Sequence, residues 1–242
     1  MKQHDAVILT LERLGGQATL AELYREVMQI KECNWVTKTP FASIRRIVQQ
    51  RPEIFKVRPG LWALRSYQDS LGLMEYSKAK DISPESIEQN HSYYQGMLVS
   101  LGNLRGFSTY VPNQDKNKLF VSKPLKVLRS LQALPAFSHD VLVKRSSTID
   151  VIWFNKRLMP DSFFEVEHST DIQNSLLKFH DLKDFYARMI IVADENRQAE
   201  YKQKVSRSVL AEIQGRVKFL SYNTLVRQFE SEVFQASQNF TV

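Results

Sequence analysis

The sequence lacks the marks of several large protein classes. Its 242 residues include one cysteine, Cys33, so no intrachain disulfide can form. There is no charged-then-apolar signal segment at the start and no apolar run long enough to span a bilayer, so we expect a cytoplasmic protein that binds no membrane. The sequence also has no P-loop, dinucleotide-binding glycine pattern, nucleophile elbow or zinc-ligand spacing, which argues against nucleotide and zinc cofactors.

What the chain does contain is an ordinary globular composition with a basic balance. Hydrophobic residues make up 43% and charged residues 24%, and the length leaves room for two modest domains. The formal net charge is +7 and the isoelectric point is near 9.4. Because a positively charged protein attracts polyanions, this balance favours a polyanionic partner.

Residues 1–66 contain the start and stop signals of three helices, followed by two strands that would form a hairpin. Apolar residues at helical spacing stop at Gly15, and Thr19 with Glu22 three positions later forms a capping-box pattern for a second helix. Thr39, followed by proline, opens a third helix. Two short strands are predicted at 54–57 and 61–64. This order of elements predicts a winged helix-turn-helix domain.

Charge is unevenly distributed within this segment. Residues 38–65 contain seven basic residues and one acid, whereas residues 1–37 contain four basic residues and five acids. A recognition helix and a wing would need cations there, because phosphate contacts supply affinity and register on DNA. The alternative is that Arg45 and Arg46 form the solvated face of an amphipathic helix. The candidate DNA contacts are Lys38, Thr39, Ser43, Arg45, Arg46, Arg51, Lys56 and Arg58.

A polar joint at 67–83 separates this segment from a second domain, which we expect over 84–242. A serine-proline pair starts a long helix there, reaching about Arg105. Glu88 and Gln95 on this helix are seven residues apart and could both point to one side of it.

The rest of the second domain alternates strands and helices, which predicts a mixed β-sheet flanked by helices, an α/β fold. We expect one of the helices to be capped by Ser169 or Thr170. The predicted strands are 107–111, 189–193 and 217–222, and the predicted helices are 171–185, 199–213 and 224–234.

Two further strands, at 149–154 and 163–170, organise the second domain. Both are dense in β-branched and aromatic residues, and the residues between them are turn-like in composition. An antiparallel hairpin is the simplest connection. The first strand looks buried on both faces and yet carries a carboxylate, which is rare unless that carboxylate has a partner.

Three carboxylates would meet on one face of this hairpin. Side chains alternate along a strand, so Glu165 and Glu167 share a face. A hairpin centred between Leu158 and Met159 places Asp150 opposite Glu167, and a slip of two residues places Asp150 opposite Glu165 instead. Either register brings the three acids within roughly 5–8 Å of one another at the Cβ level.

Three like charges this close must stay hydrated, hold protons or hold a cation. Oxygen ligands suit Mg²⁺, with Mn²⁺ as the alternative ion, because Mg²⁺ is usually bound by one or two carboxylates and keeps waters that leave room for a phosphate. The alternative is that the alternating Phe164–Glu167 pattern only describes a strand with one solvated face.

The acids at Asp150, Glu165 and Glu167 resemble those of the PD-(D/E)XK superfamily of restriction-endonuclease-like nucleases, whose pattern is an acid, a spacer and Glu-x-Lys. The chain departs from that pattern at Glu167, where the superfamily usually has lysine. The surrounding runs also resemble bacterial restriction endonucleases, and the likeness covers about 84–222. The runs that carry it are Gln95-Gly96, Leu101-Gly102-Asn103, Ile149–Phe154, Phe164–Thr170 and Leu176–Phe179.

This resemblance implies a metal-dependent endonuclease that hydrolyses phosphodiester bonds in double-stranded DNA, as a type II-like restriction enzyme. Asp150 and Glu165 would hold the metal, and Glu167 would orient or deprotonate the attacking water or join the metal shell. Lys178 could replace the missing motif lysine, although a surface lysine is the alternative. Cleavage of both strands needs two such sites, so a homodimer is expected.

The first segment resembles the HARE-type winged helix-turn-helix that occurs joined to restriction-endonuclease domains. Leu14-Gly15-Gly16, Thr39-Pro40 and the run from Phe55 to Leu64 carry most of this likeness. The whole chain is therefore expected to be an N-terminal winged helix-turn-helix domain followed by a restriction-endonuclease-like domain. An alternative from another class is a non-catalytic DNA-binding regulator that uses the nuclease fold as a dimerisation module.

Overall fold

The computed structural model describes residues 1–37, 39–75 and 84–238, with only the backbone of 84–87 and 237–238. Two compact units are present, Met1–Ile82 together with Phe229–Val242, and Ser83–Gln228. No helix in the described ranges is long and apolar enough to cross a membrane.

Among the described residues, the first unit contains three helices, the end of a fourth from Phe229 onward, and a three-stranded antiparallel sheet in the order β1-β3-β2. Single 3-10 turns occur at Val27–Gln29 and Arg65–Tyr67. The elements are α1 (Gln3–Arg13), β1 (Gln17–Thr19), α2 (Leu20–Glu26), α3 (Pro40–Gln50), β2 (Ile54–Arg58) and β3 (Leu61–Leu64).

Local sequence signals explain where these elements begin and end. The predicted capping box at the start of α2 is confirmed, since the Thr19 backbone N–H donates to Glu22 and the Glu22 N–H donates to the Thr19 hydroxyl. The predicted stop after α1 is confirmed as well. Gly16 has φ +90°, and a Cβ there would lie 2.3 Å from the Tyr67 ring, so both conformation and space require glycine.

The end of the chain belongs to this first unit, which the sequence boundary at residue 66 did not include. Phe234 packs edge-on against Phe41 of α3, with ring centroids 5.1 Å apart. Glu230 forms an ion pair with Arg45 of the same helix. These partners are nearly two hundred positions apart in the chain, so local patterns carried no sign of them.

The second unit is built on a five-stranded mixed sheet in the order β10-β9-β8-β7-β4. Strands β8, β9 and β10 run parallel, and β7 pairs antiparallel with both β8 and β4. Helices flank the sheet, as predicted, and a separate two-stranded hairpin joins β5 to β6. The elements are α4 (Pro84–Leu104), β4 (Ser108–Tyr110), β5 (Leu119–Phe120), β6 (Lys123–Pro124), α5 (Leu125–Leu128), α6 (Asp140–Ser146), β7 (Val151–Phe154), β8 (Pro160–Glu167), α7 (Ile172–Asp181), β9 (Arg188–Ala193), α8 (Gln198–Val205), α9 (Ala211–Gln214), β10 (Val217–Ser221) and α10 (Tyr222–Gln238).

Side chains of this unit pack on both faces of the β7–β8 hairpin, the hairpin that carries the candidate acids. On one face Phe163 is fully buried among apolar side chains of α7, a burial that stabilises the fold by about 1.5–3 kcal/mol. On the other, the Trp153 indole N–H donates to the Leu98 carbonyl of α4 at 3.1 Å. Gly102 lets that helix approach closely, because a Cβ there would lie 2.6 Å from the Trp153 ring nitrogen.

The hairpin adopts the second of the two predicted registers. Val151 lies opposite Phe164, which places Asp150, just before the strand, next to Glu165. The register centred between Leu158 and Met159 is wrong by two residues, because the turn is centred on Arg157, with Phe154 opposite Pro160, and a one-residue irregularity beside Phe154 then leaves Val151 opposite Phe164.

Two other local expectations are wrong. Helix α7 is capped by Asp171, whose carboxylate accepts from the Gln173 N–H at 2.8 Å, rather than by Ser169 or Thr170. The single helix expected over 199–213 is two helices separated by extended backbone at Arg207 and a 3-10 turn at Ser208–Leu210. Serines on both sides of Arg207 compete with helical hydrogen bonding and favour this break.

Candidate active site

The structure brings Asp150, Glu165 and Glu167 together at one end of β7 and β8. All three are largely buried, with 9%, 1% and 4% of their surface exposed. The Asp150 N–H donates to Glu165 Oε1 at 3.3 Å, and Asp150 Oδ2 accepts from the Val166 N–H at 2.7 Å. The backbone of the hairpin therefore fixes both carboxylates of the pair.

Lys178 also lies in this cluster. One turn and a half into α7, its Nζ donates to Glu165 Oε2 at 2.7 Å and to the Thr148 carbonyl at 3.0 Å. Its side chain is 26% exposed, so it is no ordinary surface lysine. The structure therefore brings the predicted Lys178 into direct contact with one of the three acids.

Glu167 is held differently, since its side-chain partners among the described residues are two hydroxyl groups. Thr170 donates to its Oε2, and Ser175 contacts its Oε1. The same Ser175 hydroxyl lies 2.8 Å from Glu165 Oε2. A hydroxyl carries one proton, so the two glutamates share Ser175 as a donor, and this hydroxyl links them.

The pKa of Glu165 reflects the second carboxylate beside it. Burial, followed by the charge of Asp150, raises the pKa of Glu165 well above its usual value, and Lys178 and Ser175 offset only part of that rise. Burial lowers the pKa of the Lys178 ammonium, but the charge and hydrogen bond of Glu165 outweigh burial and raise it overall. The cluster therefore favours either a bound proton or a cation beside Glu165.

His91 was not among the site residues predicted from the sequence. It lies on α4, and its Nε2 is 3.1 Å from Asp150 Oδ2. Burial lowers the pKa of this imidazole, but the hydrogen bond to Asp150 and the charges of Asp150 and Asp115 raise it above its usual value. His91 precedes Gln95 by one helical turn, and this spacing on a helix expected to face the acids was the available signal.

Gln95 and Asp115 extend the cluster on its other side. The amide Nε2 of Gln95, which is fully buried, donates to Asp115 Oδ2 at 3.0 Å and to the Asp150 carbonyl at 3.2 Å. Asp115, in the loop after β4, is 3% exposed. Glu88 does not join the acids, since it is exposed and pairs with Lys118 at 3.3 Å.

The donor set of the cluster fits Mg²⁺. Among the described residues no group of three His, Cys, Asp or Glu side chains is placed to hold a metal ion. The close pair Asp150 and Glu165 offers oxygen donors only, and Mg²⁺ commonly uses one or two carboxylates and fills its other positions with water. The raised pKa of Glu165 marks the place where a cation would relieve the repulsion between the two carboxylates.

The candidate DNA contacts lie in the first unit, apart from Lys38, which is outside the described residues. Arg46 is exposed and donates to Gln50 on the next turn of α3. Arg45 forms a 2.7 Å ion pair with Glu230. The remaining candidates are Thr39 and Ser43 at the start of α3, Arg51 at its end, and Lys56 and Arg58 on β2.

Comparison with known proteins places the chain in a family. The family model described as the type II restriction enzyme NmeDI C-terminal domain matches residues 73–238, and the chain belongs to that family. The type II restriction enzyme NmeDI of Neisseria meningitidis serogroup C is 31% identical over 147 residues, which cover 56% of this chain. The match covers 41% of that relative, so the chain spans less than half of its length. No solved structure gives a significant match.

Proposed function

We propose that this protein is a metal-dependent endonuclease of the restriction type that hydrolyses phosphodiester bonds in double-stranded DNA. The observation that carries the proposal is the contact of Asp150, Glu165 and Lys178 in one buried cluster. Membership of the restriction-enzyme family supports the class of reaction. The Glu-x-Glu form of a PD-(D/E)XK site is our interpretation of the cluster.

Asp150 and Glu165 would hold Mg²⁺, or Mn²⁺ as the alternative ion. Such an ion supplies charge that polarises the scissile phosphate and makes a bound water more acidic. The protein orients the two carboxylates through the Val166 and Asp150 backbone N–H groups, which donate to Asp150 and to Glu165.

Lys178 and Glu167 would control the proton of the attacking water. In the proposed step water attacks phosphorus and gives up a proton to Glu167 or to bulk water, the bond from phosphorus to the leaving oxygen breaks, and the leaving oxygen takes up a proton from bulk water. Lys178 Nζ lies on Glu165 Oε2, where it can hold the attacking water by a hydrogen bond and stabilise negative charge on the phosphate. Glu167 would order the site through Ser175, which it shares with Glu165.

The first unit would bind the DNA as a winged helix. Its order of helices and strands supports this role, with α3 as the helix in the major groove and the β2–β3 hairpin as the wing. The exposed Arg46, which donates to Gln50, would be one of its phosphate contacts. Because cleavage of both strands needs two sites, we further propose a homodimer on the target.

Nicking of supercoiled plasmid by the purified chain tests the proposal. We expect cleavage with Mg²⁺ or Mn²⁺ and none in excess chelator. Asp150→Asn and Glu165→Gln, which keep shape and remove charge, should abolish cleavage. Asp161→Asn is the matched control, because Asp161 lies on the same strand β8 but pairs with Arg188 away from the cluster.

Full cleavage in chelator would overturn the metal requirement. Tight DNA binding by a chain that never cleaves under any of these conditions would support the non-catalytic regulator instead. Equal loss of activity in the Asp161→Asn control would show that the strand, and not the cluster, had been damaged.

A further inference from the structure

The segment 112–126, named here the lysine hairpin, carries an unusual density of positive charge beside the acidic cluster. It comprises the loop after β4, the strands β5 and β6, and the start of α5. Its one acid, Asp115, is buried. Its four lysines are Lys116, Lys118, Lys123 and Lys126.

The lysine hairpin is tied directly to the cluster. Gln95 donates both to Asp115 at 3.0 Å and to the carbonyl of Asp150 at 3.2 Å, so one amide connects the hairpin to the first metal-binding candidate. The Ser92 hydroxyl donates to the Leu119 carbonyl at 2.8 Å, which fixes β5 on α4. Gly96 allows this close packing, because a Cβ there would lie 2.3 Å from Phe120.

The hairpin divides its lysines into neutralised and free ones. Lys118 pairs with Asp115 at 2.8 Å and with Glu88 at 3.3 Å, which uses its charge inside the protein. In the described part of the chain, Lys116, Lys123 and Lys126 form no ion pair with an acid. The Lys126 N–H donates to the Lys116 carbonyl at 2.7 Å, which keeps those two residues adjacent.

The tip of the hairpin is held in a costly conformation. Val121 has φ 55°, in the left-handed region, where a β-branched residue is a rare outlier. Such backbone persists only where the surroundings determine it, and it is enriched at ligand-binding sites. The exposed Lys123 follows two residues later.

We propose that the lysine hairpin binds backbone phosphates of the DNA duplex immediately beside the acidic cluster. The inference rests on the proposed function and names a second contact surface, in the unit that carries the cluster. Asp150, Glu165 and Glu167 repel a phosphate until their charge is neutralised, so an adjacent group of unpaired lysines supplies the attraction that brings the backbone to them.

The test measures binding of the full chain to a fluorescent 30-base-pair duplex in chelator, across a range of salt concentrations. Lys123→Ala/Lys126→Ala removes two exposed cations. We expect the slope of log affinity against log salt to become shallower by about 2, since each neutralised phosphate contributes about 0.9, and affinity at low salt to fall at least about tenfold. Unchanged thermal unfolding would show that the fold is intact.

The matched control is Lys156→Ala/Arg157→Ala, at the turn between β7 and β8. These substitutions also remove two exposed cations, and the turn likewise contains a residue with positive φ, Leu158. It lies six residues along the strand from Asp150, which is about 20 Å at about 3.3 Å per residue. We expect the control to keep the wild-type salt slope.

An unchanged slope in Lys123→Ala/Lys126→Ala would overturn the proposal. An equal change of slope in the control would also overturn it, because it would show a general effect of charge. Because binding is measured without cleavage, the proposed function can fail separately. A wild-type chain that binds duplex but never nicks it overturns the endonuclease and leaves the slope result standing. A wild-type chain that binds no duplex overturns both.

Discussion

Two ion pairs in different units of the molecule have nearly the same local chemistry and different surroundings. Lys178 meets Glu165 in the second unit, and Arg45 meets Glu230 in the first, each at 2.7 Å and each from a helix. In both, burial raises the pKa of the glutamate and the cation offsets part of the rise. The difference lies in what else surrounds each carboxylate.

Glu165 has Asp150 beside it, whereas Glu230 has the phenol of Tyr24 in its surroundings. Burial and then the charge of Glu230 raise the pKa of Tyr24 to about 12, so that hydroxyl stays protonated and serves as a neutral partner. Two cations, Arg45 and Lys56, lower the pKa of Glu230. At Glu165 the charge of Asp150 opposes the effect of Lys178 and raises the pKa, and this difference separates a structural contact from a candidate reaction centre.

The largest expected effect comes from removing the cation of the second pair. Lys178→Met should lower the rate of DNA cleavage by about two to four orders of magnitude, the usual range for loss of a group that moves or holds the reacting proton. The fold should survive, because Glu165 already has a raised pKa and can take up a proton when the lysine is gone. Single-turnover cleavage and thermal unfolding measure the two effects.

Lys183→Met is the control for that variant. Lys183 follows the same helix, pairs with the exposed Glu212, and has no contact with the cluster. Wild-type cleavage by Lys178→Met would show that Lys178 has no part in the mechanism. Glu167, which occupies the position of the usual motif lysine, would then be the next candidate for that role.

A smaller effect is expected at Glu167, which two hydroxyl groups hold. Glu167→Ala should lower cleavage by about tenfold to a hundredfold, because it frees Ser175 and Thr170 and loosens the hold on Glu165. Glu167→Lys restores the residue that is usual in the superfamily but adds a cation near Lys178, so we expect low activity.

The double variant Glu167→Lys/Lys178→Met sharpens this comparison. If the two positions can exchange their roles, the double variant should cleave faster than either single variant, a coupling measured by a double-mutant cycle. Activity equal to the product of the two single losses would show that the positions act independently and would contradict the exchange.

Much of the second unit could be predicted from the sequence because its signals are local. The acids on β8, the start of α4 and the alternation of strands with helices all follow from spacing within a few residues. The cluster itself is less local. His91 lies 59 positions from Asp150, and Gln95 lies 20 positions from Asp115, so periodicity could show which face of α4 was polar but not which acid it would meet.

The first unit shows the same limit more severely. The charge count over 38–65 treated Arg45 and Arg46 alike, because both are adjacent cations on one predicted helix. The structure separates them, since Arg45 pairs with a residue 185 positions away and Arg46 with its own helical turn. A charge count measures how many cations a segment has, and only tertiary structure decides which of them remain free.

The smallest expected effect tests that separation. Arg45→Ala leaves Glu230 buried without its cation, but half of the Arg45 side chain is exposed, so we expect a loss of only about 1 kcal/mol of unfolding free energy. Arg46→Ala should leave stability unchanged and make the salt slope of DNA binding shallower by about 0.9, the value for one phosphate contact. Urea unfolding and salt titration of duplex binding measure both quantities on each variant.

If Arg46→Ala instead destabilises the chain and leaves the slope as in wild type, then α3 faces protein and not DNA, and the candidate contacts in the first unit lose their support. If Arg45→Ala changes the slope as much as Arg46→Ala does, Arg45 must leave Glu230 and bind a phosphate when DNA is present. The Arg45–Glu230 pair would then be a contact that DNA replaces and not a permanent structural one.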